Sequence, residues 1–105
     1  MTTFDKREEG FENKFAHDEE LKFKADARRN KLLGLWVAEK LGLSGEAASD
    51  YARTVVAADY EGDRDVAGKV MRDLAAKGVD LPEAELRAKM DQLMAQAIAQ
   101  VKAGT

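Results

Sequence analysis

Cysteine is absent from the sequence, and with it any disulfide framework, thiolate nucleophile or thiolate metal ligand. That usage suits a reducing cytosol. Histidine occurs once, at His17, so the common zinc sites built from paired histidines or cysteines are excluded. Proline also occurs once, at Pro82. The eight glycines are scattered, and none falls in a GxGxxG or GxxxxGK[ST] phosphate loop. No stretch approaches the roughly 20 apolar residues that span a bilayer, and the opening MTTFDKREEG has no apolar run. Neither a signal peptide nor a membrane anchor is expected. Apolar alternation with period two is missing too, so no strands are expected. Carboxylates are plentiful but lie on polar faces, and nothing marks a desolvated pair. An enzyme is therefore not expected, nor any cofactor. The net charge of −3 speaks against general nucleic-acid binding.

What is present favours helices: alanine, leucine, lysine, arginine and glutamate dominate. The pattern predicts four helices, at about 18–41, 45–60, 64–77 and 82–102, joined by short links. In the first, Leu32, Leu33, Leu35, Trp36, Val37 and Leu41 nearly surround the axis, which predicts the central and most buried helix. Gly34 weakens that helix, and close approach of a neighbour would explain it. Ser44, Asp63 and an Asp80–Glu83 capping box are the expected caps, with Pro82 in the first turn of the last helix. Gly42 and Gly78 are the expected stops. The fourth helix carries the cleanest stripe: Leu86, Met90, Leu93, Met94, Ala97, Ile98 and Val101. The fold class is all-α, a four-helix bundle over residues 20–105. An N-terminal arm, residues 1–19, precedes it and is expected to be mobile, disordered or weakly helical when free.

Charge comes in blocks. Residues 1–20 carry −4, residues 22–40 carry +4 and residues 41–63 carry −4. Such blocks can steer an encounter, although each is more often an ordinary solvated face. Within the acidic arm stand Phe4, Phe11 and Phe15, seven and four residues apart. On a helix they share one narrow stripe. Little else apolar supports them, and Gly10 weakens the helix further. Ordering the arm costs more entropy than three rings return, so docking back onto the bundle is marginal. A cleft on a larger protein would supply the missing contacts, with Phe4, Phe11 and Phe15 as anchors. Arg7, Glu8, Glu12 and Lys14 would then fix the register.

ARRNK, residues 27–31, is the densest basic cluster. Arg28, Arg29 and Lys31, with Trp36 nearby in sequence, form a weak candidate contact for phosphate, ATP or ADP. A plain basic helix surface is the simpler explanation. Two rivals to a binding arm therefore stay open: a small adenine-nucleotide-binding or sensing domain, and a homo-oligomeric structural protein with the fourth-helix stripe as its seam.

The run FAHDEELKFKADARRNKLLGLWVAEKLG, residues 15–42, resembles the zeta subunit of the alphaproteobacterial F-type ATP synthase. The start TFDKREEGFENKF and the later helices fit as well, so the resemblance spans essentially the whole chain. It implies a four-helix bundle with an N-terminal inhibitory arm that blocks ATP hydrolysis by the catalytic head. The implied partners are the alpha and beta subunits, with gamma as a further candidate. The resemblance implies no catalytic residue. A chain that is monomeric when free, cytoplasmic, and peripheral at the inner membrane through the synthase is the matching expectation.

Overall fold

A computed structural model describes residues 19–59 and 65–104. They form four α-helices: α1 (Glu19–Lys40), α2 (Gly45–Ala58), α3 (Val66–Ala76) and α4 (Glu83–Lys102). No strand occurs among the described residues. Helix α1 packs chiefly against α2 and α4, whose backbones do not approach each other closely among the described residues, while α3 leans more lightly on all three. The centrality expected of α1 is therefore what the packing shows.

The core joins Leu33 and Val37 of α1, Val55 of α2, Val70 and Leu74 of α3, and Leu86 and Leu93 of α4. Each such side chain contributes about 1.5–3 kcal/mol when fully buried. Trp36, Leu32 and Leu41 pack at its edge, but Leu35 is 37% exposed. Among the described residues the apolar girdle read from the sequence is thus open on one side, where α2, α3 and α4 do not cover it. The α4 stripe is used inside the chain: Leu86, Leu93 and Ala97 are buried. Met90, Met94, Ile98 and Val101 of the same stripe are half-buried. Met71 and Met90 fill the core margin.

Gly34 meets the expectation made of it. A Cβ there would stand 2.5 Å from the Ala52 Cα and 2.9 Å from its Cβ. Only hydrogen at this position lets α1 and α2 cross so closely.

Asn30, 1% exposed, is the one buried polar residue among those described. Its amide donates to Asp59 Oδ2 at 3.2 Å and its carbonyl accepts from Arg29 Nε at 2.7 Å. It thereby pins α1 to the end of α2. Asn30→Ala strands these partners and should cost about 2 kcal/mol, a fall of roughly 10 °C in melting temperature by calorimetry. An unchanged transition would show the pin to be idle.

Two of the helix ends follow the sequence. Beyond α1, Leu43 N–H donates to Ala38 O (2.9 Å) and Gly42 N–H to Glu39 O (3.1 Å). Beyond α3, Val79 N–H donates to Leu74 O (2.9 Å) and Gly78 N–H to Ala75 O (3.0 Å). Both are Schellman ends, with Gly42 at φ +80° and Gly78 at φ +74°. The starts differ from expectation. Ser44 occupies the N-cap of α2 without a side-chain cap bond. Pro82, not a first-turn residue, is the N-cap of α4, and the Asp80–Glu83 box does not form because that cap position already belongs to Pro82. Asp63 and Tyr60 lie outside the described residues. The cap of α3 is Asp65, whose carboxylate accepts from Gly68 N–H at 2.8 Å.

Tyr51 ties α2 to α3. Its hydroxyl donates to Asp73 Oδ2 at 2.7 Å, and Lys69 Nζ reaches the same oxygen at 2.7 Å while lying 5.2 Å from the tyrosine ring centre. Burial, then the Asp73 hydrogen bond and its charge, hold the phenol well above its ordinary pKa. The fold thus prefers neutral tyrosine. This stabilisation is complete below the unfolded value of 10.0 and falls as pH rises past it. The urea midpoint of the wild type should therefore drop further between pH 8 and pH 11 than that of Tyr51→Phe; equal drops would contradict this.

Candidate functional site

The arm residues singled out in the sequence, Phe4, Arg7, Glu8, Phe11, Glu12, Lys14 and Phe15, lie outside the described residues, as does His17. The described chain begins at Glu19. Helix α1 starts at Glu19 with five cations in its next twelve residues: Lys22, Lys24, Arg28, Arg29 and Lys31.

Three of these cations share a face. Lys24, Arg28 and Lys31, spaced four and three apart, lie on one side of α1. They line a groove of about 540 Å³ between α1, α2 and the end of α4, whose apolar lining is Leu21, Ala27, Val56 and Val101. Lys24 and Lys31 are exposed and Arg28 is half-buried. Arg28 Nη1 donates to Gln100 Oε1 at 2.8 Å, which ties the guanidinium to α4. Lys24 stands 3.6 Å from Glu20, an exposed pair of little energetic weight. A second groove, about 440 Å³, continues from Lys31 and Val56 along α2 to Ser49 and Arg53. The arrangement is an apolar trough edged by positive charge, suited to an amphipathic anion.

The expected trio is thus divided. Arg28 and Lys31 meet in the groove, while Arg29 turns to Asn30. Trp36 joins neither. It lies on another surface, between Lys40 Nζ (4.5 Å from the ring centre) and Lys89 Nζ (5.6 Å), beside Glu85 and Gln92. Five residues after Lys31, it has turned to a different face of α1. The sequence reading missed Lys24 as a groove residue, although its spacing from Arg28 was a usable signal. It had no means of finding Val56 and Val101, which come from other helices.

Among the described residues no cluster of three or more histidine, aspartate or glutamate side chains is arranged to hold a metal. No described helix is long and apolar enough to cross a membrane.

Comparison with curated protein sequences finds no match. A protein with a known solution NMR structure is 55% identical, over 81% of this chain and 99% of that one, with a TM-score of 0.69. A family model described as ATPase inhibitor subunit zeta matches residues 1–100, taking in the arm as well as nearly all of the helical part. The inhibitory role implied by the resemblance is the one this family carries, and the chain belongs to the ATPase inhibitor subunit zeta family.

Proposed function

We propose that the chain inhibits ATP hydrolysis by inserting its arm, residues 1–19, at an interface between catalytic subunits of the F-type ATP synthase head. The bundle, residues 20–105, limits the depth of entry. The observation that carries this is the aromatic stripe of Phe4, Phe11 and Phe15 in a segment with little other apolar support. The family match begins at residue 1, which supports treating the arm as part of the inhibitor. On insertion the arm becomes helical, the three rings anchor in apolar pockets, and Arg7, Glu8, Glu12 and Lys14 fix its register. A wedge in that position prevents closure of a catalytic site and stops rotation. The chain acts at the inner membrane only through the synthase.

Phe11→Ala should weaken inhibition by roughly thirtyfold, the equivalent of about 2 kcal/mol for one anchoring ring, with little movement in melting temperature. A titration of the isolated ATPase head, paired with calorimetry, measures both. A large and matched loss of stability would make Phe11 a core residue of its own chain instead.

The groove of Lys24, Arg28 and Lys31 favours a second reading, weak binding of ATP or ADP. Titrating ATP against backbone amide shifts tests it, and the absence of a saturable change removes it.

A further inference from the structure

We propose that two polar ties, Arg28 to Gln100 and Asn30 to Asp59, form a latch that holds the first half of α1 on the bundle and thereby sets the reach of the inhibitory segment. This rests on the reading of the arm as the inhibitory element. Helix α1 is held unequally along its length. From Leu33 onward it buries Leu33, Val37 and Ala38 and closes Gly34 against Ala52. From Glu20 to Asn30 only Ala25 and Asn30 are buried, and Phe23 is 56% exposed. A half-helix with one buried apolar side chain opens locally at a lower free energy than the core behind it.

What secures this half is polar. Arg28 Nη1 donates to Gln100 Oε1 at 2.8 Å, across 72 residues of sequence. The Asn30 amide donates to Asp59 Oδ2 at 3.2 Å, and Arg29 Nε fills its carbonyl at 2.7 Å. Two residues apart on a helix, Arg28 and Asn30 point to opposite sides of it. One therefore ties α1 to α4 and the other ties it to α2. Both partners stand at helix ends: Asp59 is the C-cap of α2, and Gln100 lies in the last turn of α4. Helix ends fray, so each tie is secured to a part that can itself loosen.

The consequence is one of length. Residues 19–30 span about 18 Å as helix and about 40 Å as extended chain. With the latch closed, the arm leaves the bundle from a fixed point at Glu19. With it open, the same arm carries about 20 Å of added slack. A bundle that limits depth of entry can do so only through a connection of fixed length. A longer and softer connection also weakens whatever contact the bundle adds once the arm is in place. Arg28, Asn30, Asp59 and Gln100 are thus positioning residues, which act on inhibition through α1.

Gln100→Leu removes the α4 tie at a half-buried position. In the free full-length chain, amide exchange at residues 24–30 should quicken about tenfold, the weight of one hydrogen bond to a charged group, while Leu33, Val37 and Val55 keep their rates. Recovery of ATPase turnover after dilution of the inhibited complex should quicken severalfold. Gln100→Glu makes the tie an ion pair and should slow both. The absence of cysteine permits Arg28→Cys with Gln100→Cys, joined by a short bismaleimide. The joined chain should regain slow exchange and slow recovery, and the unjoined chain should have neither. Exchange at residues 24–30 that stays unchanged in both Gln100 variants, or that rises equally through the core, would overturn the latch. Faster exchange with unchanged recovery would overturn its control of reach. A joined chain that still releases the ATPase quickly would overturn it too, because Gln100 would then touch the ATPase directly. The exchange measurement needs no ATPase, so failure of the latch and failure of the inhibitory reading are separately visible.

Discussion

Removal of residues 1–19 is expected to abolish inhibition of the isolated ATPase head while the remaining bundle melts within a few degrees of the full chain. Each anchoring ring is worth about 2 kcal/mol or more and each tenfold of affinity about 1.4 kcal/mol, so losing three rings weakens binding by over a thousandfold even if they are not additive. The bundle should tolerate the cut. Every described core residue lies after the deleted segment: the earliest buried apolar residue is Ala25, and the main cluster starts at Leu33. Turnover measurements with the intact and shortened chains decide the matter. Undiminished inhibition by the shortened chain would remove the arm from the mechanism. Loss of inhibition together with loss of folding would make the arm part of the core instead.

The second large effect is structural. Gly34→Val should destabilise the bundle by about 3 kcal/mol, a fall of 10 °C or more in melting temperature. Replacing a helical glycine would by itself stabilise the helix by up to about 1 kcal/mol, so the sign depends on what the new side chain meets. Here it meets backbone. The Cβ would stand 2.5 Å from Ala52 Cα and 3.3 Å from Ala52 O, and neither atom can rotate away. The α1–α2 crossing must open. Gly34→Ala should show the same sign more mildly, and Ala52→Gly in the same chain should recover part of the loss. A stability equal to or above wild type for Gly34→Val would mean that the helices part freely.

Gly34 also marks what the sequence makes legible. A glycine amid strong helix formers has one economical explanation, and the crossing with Ala52 supplies it. The apolar crowding of α1 likewise announced a helix with neighbours on several sides. Gly42 and Gly78 announced their Schellman ends because a left-handed backbone suits glycine. Helix starts were harder. A serine or aspartate before a helix is only an option, and whether its oxygen is used depends on local backbone angles that composition does not fix. Hence Ser44 stands in place unused, and Pro82 displaces a capping box that was well spaced. The grooved site was half legible. Arg28 and Lys31 were visible as a basic run, but their grouping with Lys24 rather than Arg29 depends on which face of α1 is left uncovered. Val56 and Val101, far along the chain, enter only through tertiary packing.

The placement of α1 between α2 and α4, whose backbones stay apart among the described residues, has a mechanical consequence. Force applied to the leading segment enters the molecule at Glu19 and runs along the axis of the element on which the others rest. A rotary engine straining against such a plug would load the spine in line and shear several contacts at once, whereas an attachment through α3 would let a lightly held edge peel away one turn at a time.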